Sequence, residues 1–183
     1  GGGLLQGETL TLEATTGSID ATSDLTGQTI VVTSANDITI AGDITSVDDL
    51  TLAAPNNLTY AGVASTDGVL SLSGETITVS SGSLTGGTVD ATSSGSMDLA
   101  TNITSTGGTT LEASNDLTYA GEANAGDALS LSGETITVSS GSLDGGEVLV
   151  NAGANASITA DITSDTTVEL IAANDLTYAG GIN

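Results

Sequence analysis

The sequence predicts an all-β fold: a right-handed parallel β-helix of about nine coils, with three short strands in each coil. Three observations predict it. The chain repeats itself every 59 residues, a shorter unit of 19 or 20 residues recurs inside that period, and each unit alternates apolar with polar residues. The composition agrees, because Thr, Ser, Gly and Val are abundant and only 2% of residues are aromatic.

The long repeat is carried by nearly identical segments. Residues 56–62 return at 115–121 and again at 174–180, and residues 70–84 are identical to residues 129–143. The short units begin at residues 7, 27, 47, 67, 86, 106, 126, 145 and 165, and the units at 67 and 126 are one residue shorter than the others. We therefore divide the chain into a partial coil, residues 1–6, and a single β-solenoid, residues 7–183, with a three-coil superrepeat.

Each unit predicts three strands in order. In the unit at residue 27, Ile30 and Val32 mark the first strand, Ile38 and Ile40 the second, and Ile44 the third. One such unit is too short to bury its apolar face, whereas stacked coils share a continuous core and pair their strands in parallel. Because parallel crossovers strongly prefer one hand, we expect a right-handed helix, in which nine coils about 4.8 Å apart make a rod of roughly 43 Å.

Corner residues separate the strands. The first corner carries asparagine (Asn36, Asn56, Asn115 and Asn174), and the second carries glycine (Gly42, Gly62, Gly82, Gly121, Gly141 and Gly180). Both residue types tolerate positive φ, so we expect left-handed backbone there.

Two tyrosines test the register of the core. Tyr60 and Tyr119 stand at an inward position that other units fill with Ile, Val or Leu, and the residue that closes the same coil shrinks to Ala64 and Ala123. This predicts volume compensation inside a close-packed core. Tyr178 departs from it, since Ile182 follows.

Composition also excludes several functions. The chain has 23 acidic side chains and no Lys, Arg, His or Cys, for a formal charge of -23. It therefore lacks the cations that bind nucleic acid or anionic membrane surfaces, and no apolar run approaches the roughly 20 residues of a membrane helix. We expect no nucleic-acid binding, no membrane insertion and no enzymatic activity. The alternative, a glycosidase built on two carboxylates, lacks the aromatic or cationic residues that would hold a sugar.

The unit at residues 27–46 follows the pattern G-x-T-[LIV]-x-[LV]-x-[AS]-x-N-D-[IL]-T-x-A-G-x-I-T-S. It resembles the repeats of filamentous haemagglutinin-type exoproteins, the large β-helical adhesins of bacterial two-partner secretion, over about residues 7–183. The family's amino-terminal secretion domain, with its NPNG-type signature, has no counterpart here. The resemblance implies a shaft segment of a secreted or cell-surface bacterial fibre or adhesin. Its expected partners are flanking coils of a longer chain or another copy, stacked end to end.

Two sets of polar residues are candidate sites. Carboxylates could bind Ca²⁺ weakly, and no other cofactor is expected; the alternative is a solvated acidic face. The calcium candidates are Asp43, Asp48, Asp49, Asp144 and Asp161. An outward threonine column resembles the arrays of ice-binding solenoids, although Thr also simply suits exposed strands. Its members are Thr39, Thr59, Thr78, Thr118, Thr137 and Thr177, interrupted by Asp98 and Ser157.

Overall fold

The computed structural model describes residues 5–183, and these residues contain sixteen β-strands and no helix. The strands are β1 (Leu5–Ala14), β2 (Ile19–Ala21), β3 (Leu25–Ser34), β4 (Ile38–Ile40), β5 (Ile44–Ser46), β6 (Leu50–Ala53), β7 (Asn57–Ser65), β8 (Val69–Gly74), β9 (Thr76–Gly86), β10 (Thr88–Ser93), β11 (Met97–Leu99), β12 (Asn102–Ser105), β13 (Thr109–Ala113), β14 (Asp116–Ile158), β15 (Asp161–Ala172) and β16 (Leu176–Tyr178). All belong to one sheet, and the pairing between them is parallel. The prediction of an all-β solenoid is confirmed.

Three ladders of parallel pairing run along the solenoid, one for each strand that the repeat predicts. The first ladder pairs Ile30 with Leu50, the second pairs Ile38 with Leu58, and the third pairs Leu25 with Ile44. Each step joins residues 19 or 20 apart, which is the length of one unit. The stacked coils make about eight turns, close to the nine units that the sequence predicts. The right-handed sense stays a prediction from the crossover rule.

The strands are often longer than the three short segments predicted for each coil. Strand β14 runs through 43 residues, Asp116–Ile158, and so passes round several corners without interruption. It pairs with coils on either side, and its backbone is left-handed at Gly141, where φ is 89°. Some corners of this solenoid are therefore bends within one continuous strand.

The core is a set of stacked apolar columns that fills the interior of the coil. Ile30, Leu50 and Leu70 in the first ladder and Ile38 and Leu58 in the second are fully buried, and most of their outward neighbours are polar, with Val31 and Val69 as exceptions. The alternation predicted from the sequence is therefore the alternation between core and solvent. Near the ends of the described chain the same columns are less well covered, and their residues are only partly buried: Leu10, Leu12, Val168 and Leu170.

The corner backbone corrects one expectation. Among the described residues, only Gly82 and Gly141 have positive φ, at 90° and 89°. The asparagine corners and the other four second-corner glycines do not. Gly82 follows one extra residue in its coil, where the register against β7 shifts between Tyr60 and Gly62. A single inserted residue with a left-handed glycine is the geometry of a β-bulge.

The remaining second-corner glycines are required for a different reason, the close approach of neighbouring coils. A Cβ on Gly62 would lie 2.6 Å from the carbonyl oxygen of Gly42, and a Cβ on Gly121 would fall onto that of Thr101. Glycine is thus selected here by space and not by φ.

Tyr60 and Tyr119 lie inside the core, as the register predicts. Both have 0% exposure, and Ala64 and Ala123 across the second corner of the same coils are also buried. Tyr178 and Ile182 belong to the last described coil, where Ile182 is 55% exposed. A large closing residue meets no crowding there.

Candidate functional site

Asp43 and Asp161 lie at the second corner, in one outward column but in different coils. An Oδ1 atom of Asp43 accepts a hydrogen bond from the backbone N–H of Val63, 2.8 Å away, and Asp161 accepts one from Gly181 at 2.7 Å. In both cases the donor lies one coil further along the chain. These carboxylates are therefore caps that join successive coils.

Asp48 and Asp49 lie at the third corner, between the third strand of one coil (β5) and the first strand of the next (β6). Oδ1 of Asp49 accepts a hydrogen bond from the backbone N–H of Val69 at 2.9 Å. The backbone carbonyl of Asp48 accepts bonds from the Thr66 hydroxyl and from the N–H of Gly68, and no side-chain bond of Asp48 is found among the described residues. Asp144 lies elsewhere, on the third ladder opposite Thr163.

The structure does not collect the five calcium candidates into one place. Across residues 5–183, no group of three or more Asp, Glu, His or Cys side chains is arranged to hold a metal ion. Asp48 and Asp49 are the one adjacent pair among the five. Weak calcium binding stays a prediction, and its geometry would have to come from single corners.

Side-chain caps between coils recur beyond these candidates. Asp24 caps the N–H of Asp43 at 2.9 Å, and Asn102 caps that of Glu122 at 3.0 Å. At the first corner, Asn155 accepts from the N–H of Asp175 at 3.3 Å. This role was not predicted from the sequence, although Asp or Asn recurring at the spacing of one unit was a visible signal of it.

Asp37 makes the most extensive of these caps. Its Oδ1 accepts from both the backbone N–H and the side-chain Nδ2 of Asn57, at 3.1 and 2.9 Å, and its Oδ2 accepts from the Ser18 hydroxyl at 3.3 Å. The backbone bond from Asn57, then its side-chain bond, lower the pKa of Asp37 below the ordinary 3.8, against a small opposing effect of desolvation. The carboxylate form is therefore the one that the fold favours.

The threonine column predicted from the sequence exists on the second ladder. Thr39, Thr59 and Thr78 are in register and point outward, and Asp20 and Asp98 end the run on either side. Thr118 continues beyond Asp98, and Thr177 pairs with Ser157. The column is one residue wide, because each second-ladder strand here has a single outward position between two inward ones.

A second hydroxyl column, which was not predicted from the sequence, runs along the third ladder. Its members are in register over five coils: Thr26, Thr45, Ser65, Thr85 and Thr104. No acidic residue interrupts it until Asp144, beyond Asn124. It is longer without a break than the column on the second ladder.

The two buried tyrosines, Tyr60 and Tyr119, have hydroxyls that are unpaired within the described chain and strongly raised pKa values. Their hydroxyls are buried, and no described residue is in hydrogen-bonding geometry with either. Burial is the main cause that raises the pKa of both tyrosines far above 10, with the charge of Asp43 adding to it at Tyr60 and that of Glu122 at Tyr119. The Ile44 backbone near Tyr60 acts on its pKa in the opposite direction, and burial outweighs it. Neither phenol can serve as an acid or base near neutral pH.

A shallow open groove with a volume of about 310 Å³ lies at the first corner. It is lined by Glu13, Ala14, Thr15, Thr33, Ser34 and Ala35. Its one carboxylate has no second acid beside it in the lining. The pair of carboxyl groups that glycoside hydrolysis uses is not found in this groove.

Comparisons of the chain with protein-family models, with curated proteins and with solved structures give no match. The described residues include no helix long and apolar enough to cross a bilayer. The geometry above is thus the basis for any functional conclusion.

Proposed function

We propose that this chain is a structural segment of an extracellular bacterial fibre or adhesin shaft. The observation that supports this proposal most strongly is the uninterrupted stacking: three ladders and one core continue through the described coils, with no inserted domain among them. The same unit is repeated with little variation, which suits a spacer whose length counts more than any single position. The coil pattern that resembles filamentous haemagglutinin-type repeats supports the same role.

The negative surface charge supports a rod that repels other copies lying beside it. All charged side chains are negative, and they lie mainly at the corners, where they face solvent. A charge of -23 opposes side-by-side bundling at low ionic strength, and screening or divalent cations would relieve it. Control of association by calcium, as in a matrix or surface-layer component, is the variant of this proposal that the corner acids favour.

The last described coil carries exposed apolar side chains. Three of its apolar side chains are exposed: Leu176 by 45%, Ile182 by 55% and Ile171 by 41%. Leu176 and Ile182 occupy the inward columns that other coils bury, and one side of this coil has no partner strand. A further coil, from a flanking segment or from a second copy, would cover both the apolar columns and the strand edges.

Negative-stain electron microscopy of the purified chain, with and without millimolar calcium, tests the proposal. Long unbranched filaments would identify end-to-end stacking of copies, and isolated rods about 4 nm long would identify a segment that needs flanking coils. Compact particles without a rod axis would contradict a shaft. Incubation with neutral and acidic polysaccharides checks the non-enzymatic part, since release of reducing sugar would contradict it.

Ice binding is the alternative, and the unbroken hydroxyl column on the third ladder favours it more than the column first identified. Regular Thr and Ser at one-coil spacing present a repeating row of hydroxyl and methyl groups. Thermal hysteresis of a dilute solution tests this reading. Thr85→Tyr would abolish thermal hysteresis if the column on the third ladder binds ice. Thr59→Tyr or Thr118→Tyr would abolish it if the column on the second ladder does.

A further inference from the structure

Three tripeptides in this chain have the form Asn-X-Ser/Thr, the acceptor motif for N-linked sugars. They are Asn57-Leu58-Thr59, Asn102-Ile103-Thr104 and Asn155-Ala156-Ser157. In each, the middle residue is buried in the core, so the asparagine and the hydroxyl residue two positions later lie on the same outward side of a strand. Asn102, Thr104, Asn155 and Ser157 are all exposed.

The amide orientation separates these asparagines. Oδ1 of Asn102 accepts the backbone N–H of Glu122, and Oδ1 of Asn155 accepts that of Asp175. Because an N–H donor needs the oxygen, both amides are fixed with Nδ2 turned away from the ladder, and neither Nδ2 has a partner among the described residues. Nδ2 of Asn57, in contrast, donates to Asp37 at 2.9 Å.

Equivalent positions in the superrepeat show that stacking alone does not require asparagine. One superrepeat before and after Asn102, the same place is held by Asp43 and Asp161, each followed by Ile and Thr. Both aspartates cap the next coil through Oδ1 as Asn102 does. What asparagine adds at this position is the outward Nδ2, together with one charge fewer beside Glu122.

We propose that Asn102 and Asn155 are acceptor sites for an N-linked glycan. In the reaction, Nδ2 forms a bond to the anomeric carbon of a sugar carried on a diphosphate, and the bond from that carbon to the diphosphate oxygen breaks. Nδ2 gives up one proton, and the nucleotide or lipid diphosphate leaves. The sugar then projects from the face of the rod, while Oδ1 keeps its bond to the next coil.

The Asn57 site is expected to be modified less. Attachment of a glycan there replaces one of the two Nδ2 hydrogens and crowds the carboxylate of Asp37. The proposal thus predicts an order of occupancy, with Asn102 and Asn155 above Asn57. Relief of charge beside Glu122 is the competing explanation for Asn102, and it predicts no glycan at all.

The test is mass spectrometry of the chain isolated from the cells that produce it, against the same chain made in a host without N-glycosylation. A protease that cuts after acidic residues gives the peptides, since the chain has no Lys or Arg for trypsin. A glycan on Asn102 and Asn155 is the expected result. Chains of varying length, built up one sugar at a time, identify a nucleotide-linked donor, and one fixed oligosaccharide at both positions identifies a lipid-linked one. Unmodified asparagine at both positions overturns the proposal.

Matched variants in a secreting host with N-glycosylation test the acceptor geometry. Asn102→Asp keeps the oxygen acceptor and should lose the glycan at that position with no change in the unfolding midpoint. Thr104→Ala should also lose it, and Thr104→Ser should retain it. Asp43→Asn creates the tripeptide Asn-Ile-Thr at the equivalent corner and should gain a glycan. A glycan confined to Asn57, or absent from the Asp43→Asn variant and the unaltered chain alike, would contradict the geometry.

Discussion

Asp43 joins two coils: its Oδ1 accepts the backbone N–H of Val63 over 2.8 Å, twenty residues further along the chain. The same bond recurs between Asp161 and Gly181 and between Asn102 and Glu122. The acids of this protein are thus part of the stacking, and they are not only a solvated coat. Since Asp24 caps the N–H of Asp43 itself, two consecutive steps of the solenoid are held in this way.

The cap at Asp43 predicts different outcomes for two substitutions. Asp43→Asn retains an oxygen acceptor and relieves repulsion from Asp24, so the free energy of unfolding should stay within about 0.5 kcal/mol of the unaltered chain. Asp43→Ala leaves the N–H of Val63 without this partner and should cost about 0.5–1.5 kcal/mol. Urea denaturation measures both midpoints. Equal midpoints for the two variants would show that the hydrogen bond contributes nothing.

Asp37 predicts a pH dependence with a definite sign. Its pKa is lowered by the bonds from Asn57, so the folded state favours the carboxylate more than the unfolded state does. Its contribution to stability is therefore present above the unfolded pKa of 3.8 and is lost as the pH falls through the lower folded value. Asp37→Asn should flatten the acid side of a curve of unfolding midpoint against pH.

The matched control for Asp37 is Asp116→Asn. Asp116 lies in the same outward column, four coils further along, and its side chain makes no hydrogen bond among the described residues. Both variants remove one negative charge from the rod. If both flatten the acid limb equally, the effect belongs to net charge and not to the bond with Asn57.

Gly82 predicts a large loss on substitution by alanine. Its φ of +90° is strained for any residue with a side chain, and the new Cβ would meet the backbone of Gly62 in the coil below. Left-handed backbone alone costs roughly 1–2 kcal/mol, so Gly82→Ala should lose at least about 2 kcal/mol when the clash is added. Thermal or urea unfolding measures it.

Gly17→Ala is the control for that substitution. No heavy atom lies within 4 Å of a Cβ built on Gly17, and its φ is not positive. We expect a change of no more than about 0.5 kcal/mol in either direction. A comparable loss at both positions would mean that glycine is needed for general flexibility and not for the bulge.

Tyr60→Phe should remove a buried polar group without loss of stability. Its hydroxyl is buried and has no hydrogen-bond partner in the described chain, so Tyr60→Phe should leave stability equal or raise it. Tyr178 is the contrast, because its hydroxyl donates to the carbonyl of Gly181 at 2.5 Å. Tyr178→Phe should therefore be the more destabilising of the two in the same denaturation experiment. The reverse order would reveal a buried partner for Tyr60.

The sequence could predict much of this, because the repeat constrains every coil at once. An error in the register of Ile38 or Leu58 would have moved a whole column into solvent, so the ladder positions were firmly determined. The corners were harder. Gly62 and Gly82 look alike in sequence, and only the position of the neighbouring coil shows that one provides space and the other a left-handed bulge.

The outward threonines of the second ladder could be predicted from the sequence, but the capping role of the corner acids could not. Thr39 and Thr59 face outward as expected, yet the longer column through Thr45 and Thr85 was missed because the third strand shows a single apolar residue and so a weak alternation. The capping role of Asp43 needed coordinates, since the acceptor and its donor are 20 residues apart.

Tyr60 and Ala64 predict a coupled pair. In this coil the large ring and the small closing residue lie inside the same cross-section, whereas Ile40 and Ile44 fill the equivalent places one coil earlier. Ala64→Leu alone should overpack the core and cost about 1–3 kcal/mol, and Tyr60→Leu alone should leave a void. The double variant restores two aliphatic residues, so its loss should be smaller than the sum of the single losses by at least about 1 kcal/mol. A double-mutant cycle from urea midpoints measures this coupling, and strictly additive losses would mean that the two side chains do not share the same space.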